Sequence, residues 1–172
     1  MKPITRRWVG LAVLAALMLP APALARRRVR IAGRGLTGGR KTYTSPNVLK
    51  PEELRACLQQ EVTINEMGDR IDADEVVLQQ RADQVDQMGR SLEARQSRVD
   101  LSSKDAVDAY NREVARHRNA IAEYNRQLTG FNAGANGFNN RVQEFNTICA
   151  GKSYYEEDMQ TARAALGLSK TP

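Results

Sequence analysis

The most reactive side chains in this sequence belong to two cysteines, Cys57 and Cys149, and to a single histidine, His117. Cysteine and histidine are typical ligands of metal ions, but here no further cysteine or histidine lies at ligand spacing. No phosphate-binding glycine loop or nucleophile motif is present either. Two cysteines in an exported chain are typical of a disulfide bond. The sequence therefore predicts a Cys57–Cys149 disulfide, no cofactor, no metal site and no catalytic residue, with unpaired or intermolecularly paired thiols as the alternative.

Each cysteine ends a ladder of residues spaced by seven. The ladder that rises from Cys57 contains Ile64, Ile71, Leu78, Val85, Leu92 and Val99. The ladder that descends from Cys149 contains Val142, Ala135, Leu128, Ile121, Val114 and Val107. Paired step by step, the two ladders keep a constant sum of residue numbers, which is the pattern of an antiparallel helical hairpin. The predicted fold is therefore all-α: a long antiparallel two-helix coiled-coil hairpin over residues 51–150, closed by one disulfide, with these ladders as its seam. Pairing of the helices between chains is the alternative.

A second ladder on the second helix consists of rings, and it tests this register. Its members are Tyr110, His117, Tyr124, Phe131, Phe138 and Phe145. The same constant sum assigns them the partners Gln96, Gly89, Ala82, Glu75, Gly68 and Glu61. Rings thus meet either small residues or flexible ones, which is the arrangement that an interdigitated core requires. His117 is accordingly interpreted as a packed seam residue.

The ends of the two helices carry local signals. Pro51 suits the first helical position, because its missing N–H would have no partner there. The first helix is predicted to run to about Val99, with a turn near residues 100–104 and a capping box of Ser102 and Asp105. The second helix is predicted to run to about Cys149 and to continue as a soft helix through the glycines between residues 129 and 140, because the heptad phase is unbroken there.

A short third helix is predicted in the last segment, residues 151–172. Ser153 and Glu156 form a capping box, and Gly167 is placed to end the helix. Its apolar stripe consists of Tyr155, Met159, Ala162 and Leu166. So short a helix is unstable alone in water, and we expect it to fold over the disulfide end of the hairpin.

Residues 1–25 have the pattern of a secretory signal peptide. Basic residues precede an apolar run from Trp8 to Leu19, and the small residues Ala23 and Ala25 form a cleavage motif. The sequence thus predicts a periplasmic or secreted protein after cleavage near Ala25. An uncleaved N-terminal membrane anchor is the alternative.

Residues 26–50 form a basic N-terminal arm. All eleven lysines and arginines before residue 51 occur without an acidic residue, whereas the rest of the chain has fifteen bases and twenty acids. Rich in glycine and poor in large apolar residues, the arm is predicted to be flexible. It is either a solubilising tail or a contact for an anionic envelope surface; nucleic acid is not expected as a partner, because aromatic residues are scarce among the bases. The predicted anion-contacting residues are Arg26, Arg27, Arg28, Arg30, Arg34, Arg40, Lys41 and Lys50.

Two further patterns concern partners. Most rings are followed by an asparagine, which predicts either a hydrogen-bonded edge that fixes the register or a groove for a partner helix; the five are Asn111, Asn125, Asn132, Asn139 and Asn146. Apolar residues also lie off the seam of the first helix and favour self-association into a homo-oligomer; they are Leu58, Val62, Val76, Val77 and Met88.

These patterns favour a non-enzymatic protein over an enzyme, because a two-helix rod offers no cleft in which to gather catalytic groups. The predicted function is that of an exported structural or interaction protein of a bacterial-type cell envelope, which docks onto partner helices. A periplasmic holdase-type chaperone with helical arms is the alternative.

Overall fold

The computed structural model describes residues 28–168, which form three helices and two very short strands. In chain order these are β1 (Gly35–Leu36), α1 (Pro51–Gln96), α2 (Lys104–Ile148), β2 (Tyr154–Tyr155) and α3 (Glu156–Ala165). The long helices α1 and α2 pack against each other, and a Cys57–Cys149 disulfide joins them at one end. The predicted helical hairpin, disulfide and short third helix are therefore confirmed. At about 1.5 Å per residue, the hairpin is a rod roughly 65 Å long.

Helix α1 begins where its sequence indicated. Pro51 is the first helical residue, and Glu52 and Glu53 lie in the first turn, where their charge complements the helix dipole. The Glu53 carboxylate also accepts a 2.9 Å hydrogen bond from the backbone N–H of Lys50. Local interactions of residues 50–53 thus determine where α1 begins.

The turn between the long helices is longer than predicted. Helix α1 ends at Gln96 and not near Val99. The Asp100 carboxylate accepts hydrogen bonds from the backbone N–H and the hydroxyl of Ser102, at 2.9 and 2.6 Å. Such local side-chain bonds compete with helix formation. Because Ser102 binds Asp100, the cap of α2 is instead Ser103, whose hydroxyl accepts a hydrogen bond from the Ala106 N–H. The predicted Ser102–Asp105 capping box was therefore wrong by one residue.

The predicted register of the hairpin is confirmed at its two glycine layers. A Cβ built on Gly68 would lie 3.4 Å from Cε2 of Phe138, and one on Gly89 would lie 3.5 Å from the His117 ring. Helix α2 is continuous through Gly130, as the unbroken heptad phase predicted. The large residues of the ring ladder therefore fill the space that small residues leave on α1.

Burial along the seam decreases with distance from the disulfide. Ile64, Ile71 and Leu78 are buried, whereas Val85, Leu92 and Val99 are half-buried. Two helices cover each other on one side only, and the described residues add a third layer only at the disulfide end. There the core unites residues of the arm, both long helices and α3: Val29, Ile31, Leu49, Leu54, Cys57, Leu58, Ile64, Phe145, Cys149 and Ala162.

Helix α3 covers this core with part of the predicted stripe: Ala162 is buried in the core, and Met159 and Leu166 pack against it. The fourth residue of the stripe, Tyr155, is also buried, but it lies in β2 and its ring contacts that of Tyr43. Helix α3 begins at Glu156, however, and the predicted cap at Ser153 was wrong. The backbone of Ser153 instead bonds to Asn47 and Leu49 in an extended bridge, which precludes a helical start. The helix ends in a Schellman motif at Gly167, whose φ is 66°. In this motif the Leu168 N–H donates a hydrogen bond to the backbone carbonyl of Arg163.

The predicted flexibility of the arm is corrected for residues 28–50, which pack against the disulfide end. Val29, Ile31 and Leu49 are buried in the shared core. Strand β1 pairs in parallel with β2, opposing Gly35 to Tyr154. Composition predicted disorder because the arm has few apolar residues, but these few enter a core that the rest of the chain supplies. The predicted signal peptide, its cleavage site near Ala25, and residues 26–27 lie outside the described residues.

Candidate functional site

The disulfide lies at the centre of the thick end of the rod. Cys57 is 2% exposed and Cys149 is 0% exposed, and their Cα atoms are 5.6 Å apart. The fully buried side chains beside them include Phe145, Leu54 and Leu58. Because neither sulfur is accessible, exchange with an external thiol requires local opening. The bond is therefore a structural cross-link between the two ends of the hairpin.

The predicted seam and ring residues lie between α1 and α2, with differing degrees of burial, except Val99, which lies in the turn beyond Gln96. Tyr124 and Phe145 are buried, while the other rings are half-buried. On α2 the seam residues Val107, Val114, Leu128, Ala135 and Val142 are half-buried, and Ile121 is 36% exposed. His117 packs against Gly89, as predicted. Within residues 28–168, no group of three or more histidine, cysteine, aspartate or glutamate side chains is placed to bind a metal ion.

The basic residues of the arm divide into paired and unpaired groups. Arg28 pairs with Asp69 at 3.3 Å, Lys41 with Asp158 at 2.8 Å, and Lys50 with Glu53 at 3.8 Å. The remaining bases of the described arm are exposed and have no ion pair within residues 28–168; they are Arg30, Arg34 and Arg40. Arg26 and Arg27 lie outside the described residues. The docked arm thus retains three outward charges.

A polar cluster attaches the middle of the arm to α3. Asp158, which is 9% exposed, accepts hydrogen bonds from Lys41 at 2.8 Å and from the Tyr43 hydroxyl at 2.6 Å. Burial alone raises the pKa of Asp158, but these two donors outweigh it, and the pKa lies below its usual value of 3.8. The bond to Asp158 and the neighbouring Glu157 raise the pKa of Lys41. The cluster therefore remains an ion pair throughout the neutral range.

The start of the arm is held by side chains of α1 that bind its backbone. The Asn65 amide accepts from the Val29 N–H at 3.0 Å and donates to the Val29 carbonyl at 3.2 Å. The Glu61 carboxylate accepts from the Ile31 N–H at 3.0 Å. Val29 and Ile31 point into the core while Arg28 and Arg30 are exposed. Backbone hydrogen bonds thus attach this extended segment to α1, while its alternate side chains enter the core.

Close backbone approach continues at Gly33. A Cβ at this position would lie 1.4 Å from the carbonyl oxygen of Lys152, so only glycine fits. A hollow of about 540 Å³ lies between the arm, α1 and α3. Its lining mixes apolar residues with arginines and glutamates: Arg28, Arg30, Ile31, Leu58, Glu61, Asn65, Tyr154, Glu156, Met159, Gln160 and Arg163.

A second series of hollows follows one side of the rod, away from the arm. Three hollows of about 300, 300 and 380 Å³ lie near the disulfide, at the middle and toward the turn. The middle one is lined by Ile71, Asp74, Val77, Leu78, Gln127, Gly130, Phe131 and Gly134. Apart from the adjoining backbone of α2, no heavy atom of residues 28–168 lies within 4 Å of a Cβ built on Gly130 or Gly134. This side of the rod is therefore indented, and none of residues 28–168 covers it.

The asparagine ladder lies on the surface. All five of its members are exposed. One of the two predictions for this ladder was a hydrogen-bonded edge that fixes the register. Contacts between rings and glycines set the register instead.

Sequence reasoning missed the residues that hold the arm, notably Asn65, Glu61 and Asp158. Each is a polar residue of a helix, and nothing local distinguishes it from its solvated neighbours. The signal that was present is the alternation of apolar and basic residues from Arg28 to Ile31, which is typical of an extended segment with one buried side.

No described helix is long and apolar enough to cross a membrane. Comparisons of the chain with protein-family models, with curated proteins and with solved structures found no match.

Proposed function

We propose that this chain is an exported, non-enzymatic interaction protein of a bacterial-type cell envelope. Its rod docks against partner helices, and the outward arginines of its arm contact an anionic surface. The observation that carries the proposal is the asymmetry of the rod: the arm and α3 cover one side at the disulfide end, while no residue of the described part of the chain covers the indented side.

The rod suits helix docking because its two long helices are joined to each other at both ends. The turn joins them at one end and the buried disulfide at the other, so the seam cannot splay apart to release a bound helix. An indented surface between two helices is also where a further helix packs in bundles. Export is supported by the N-terminal pattern, and mass spectrometry of the mature protein should find Arg26 as its first residue; a retained Met1 would favour the membrane anchor.

The arm suits an anionic surface because three of its bases have no ion pair within residues 28–168. Arg30, Arg34 and Arg40 are exposed, and the segment that carries them is held against the rod. Binding therefore requires little additional ordering of the arm. Basic residues near an anionic membrane contribute about 1 kcal/mol each, so three of them change binding by roughly 100-fold at low salt.

The vesicle test uses two variants of equal charge. One replaces Arg30, Arg34 and Arg40 with glutamine, and the matched control replaces three exposed arginines of the hairpin, Arg70, Arg90 and Arg118. Only the arm variant should lose salt-sensitive sedimentation with phosphatidylglycerol vesicles. Equal losses in the two variants, or no binding by the parent chain at low salt, would refute the role of the arm.

A holdase-type chaperone is the second candidate, and the exposed apolar residues of the hairpin favour it: Val76, Val77 and Leu101 are 57%, 48% and 84% exposed. Light scattering with several unrelated denatured clients separates the two functions. A holdase suppresses the aggregation of most clients at stoichiometric amounts, whereas a specific interaction protein suppresses none.

A further inference from the structure

The three hollows of the rod form a single groove face. On α1 the lining residues Ala56, Thr63, Val77, Gln84 and Ser91 are separated by multiples of seven. On α2 the same holds for Glu113, Gln127, Gly134 and Arg141. Residues seven apart stay on one side of a coiled coil, so these hollows share one side of the rod. A cross-helix pair on this side, Arg95 and Glu113 at 2.5 Å, confirms that the two sets are neighbours.

The middle of the groove face carries a projection and a recess side by side. Val77 is 48% exposed, and it lines the same hollow as Gly130 and Gly134. Cβ atoms added to these glycines would meet no described atom within 4 Å other than the backbone of α2 itself. A two-fold axis through this point places the Val77 of each copy over the recess of the other. Such reciprocal contact is the condition for a closed symmetric dimer.

Charge separates this face from the opposite one. The opposite face of α1, where Asn65 and Asp69 bind the arm, carries five acids against two bases, Arg55 and Arg90; the acids are Asp69, Asp72, Asp83, Asp86 and Glu93. Two copies would repel each other there. On the groove face, acids and bases are nearly balanced and partly paired within the rod, as in the Glu113 contacts with Arg95 and Arg116.

The available area is sufficient for a dimer. A rod roughly 65 Å long, contacted over about one and a half helix diameters, presents on the order of 1,000 Å² to its partner. Stable interfaces bury about 800 Å² on each side. A contact along most of the rod is therefore needed, and the groove face runs along that length.

From these observations we propose that the groove face binds a second copy of this chain, forming an antiparallel four-helix dimer with Val77 of each copy against Gly130 and Gly134 of the other. The proposal deepens the proposed function, because it names the partner of the rod. Docking onto helices of other proteins is the competing outcome.

The test exploits two adjacent valines. Val76 is 57% exposed and lies seven residues above Asp69, on the arm side, whereas Val77 lies on the groove face. Sedimentation equilibrium of the oxidised full chain should show a dimer at micromolar concentration. Val77→Asp should weaken dimerisation by about 100-fold or more, because each dimer buries two unpaired charges, while Val76→Asp should leave it unchanged.

A second pair of variants tests the recess. Gly134→Leu should fill it and weaken the dimer while retaining helicity, and Asn132→Leu on the exposed asparagine ladder is the control. A photo-reactive residue in place of Val77 should cross-link to residues 127–134 of another, isotopically labelled copy.

A monomeric parent chain, equal effects of Val76→Asp and Val77→Asp, or cross-links to other segments would overturn the proposal. A monomer that nevertheless captures helical partners would refute this dimer but not the proposed docking function.

Discussion

Replacing Gly68 with leucine tests the register of the hairpin. The Cβ position of Gly68 is 3.4 Å from Cε2 and 3.8 Å from Cζ of Phe138, so the first added carbon is already in contact with the ring. The three further carbons of leucine must displace it. Overpacking of this kind costs about 1 to 3 kcal/mol. The replacement also removes a helical glycine, which stabilises the helix by about 0.8 kcal/mol. The expected net destabilisation is therefore about 0.2 to 2 kcal/mol.

Gly130→Leu is the matched control, because a Cβ at Gly130 meets no atom of another described segment within 4 Å. It has the same gain in helix propensity without the clash and should stabilise the hairpin by about 0.8 kcal/mol. The difference between the two variants isolates the packing penalty. Urea denaturation followed by circular dichroism measures it, at concentrations low enough for the chain to be monomeric.

A rescue experiment identifies the residue responsible. Phe138→Ala in the Gly68→Leu background makes room for the leucine, and we expect a favourable coupling energy of at least about 1 kcal/mol in the double-mutant cycle. If Gly68→Leu were as stable as Gly130→Leu, or the coupling were absent, Phe138 would not lie over Gly68 and the register would be wrong.

Three further predictions concern the disulfide end. Reduction, or replacement of Cys57 and Cys149 by alanine, should lower the free energy of unfolding by about 4 to 5 kcal/mol in the chain-entropy model, because the bond closes a separation of 92 residues. Non-reducing peptide mapping should find this pair within one chain. A loss of stability below about 1 kcal/mol would contradict the chain-entropy model. Gly33→Ala should release the arm and speed up amide exchange in residues 34–49, because the added Cβ would lie 1.4 Å from a backbone carbonyl. In the control Gly35→Ala, the added Cβ meets only the flexible end of the Glu156 side chain and should have little effect. Equal exchange in the two variants would argue against the docked arm. The pKa of Asp158 is lower in the folded state than its usual value of 3.8, so its contribution to stability is complete above about pH 5 and is lost as the pH falls through the folded pKa. Residues 41–43 should therefore lose exchange protection in acid. Asp158→Asn should remove this pH dependence.

The sequence by itself determined the architecture of the rod. A seam spaced by seven is a local property of each helix, and the constant sum of residue numbers sets the pairing of the two ladders. Size alternation then fixes the layers, since Phe138 and His117 need Gly68 and Gly89 opposite them. The same periodicity carries α2 through Gly130, where propensity alone predicts a break. Repetition makes such signals strong, because many residues report the same register.

Only the tertiary structure decided the position of the arm and the character of each face of the rod. The backbone of Val29 binds Asn65, and Lys41 binds Asp158, across separations of 36 and 117 residues. Each of these contacts is a single polar event without a period, so no repeated pattern in the sequence announces it. The arm also contributes too few apolar residues to fold alone, and it becomes ordered because Val29, Ile31 and Leu49 complete a core whose other residues come from the hairpin and α3. Composition describes what a segment can bury by itself, whereas order in the folded protein depends on the surface that the rest of the chain provides.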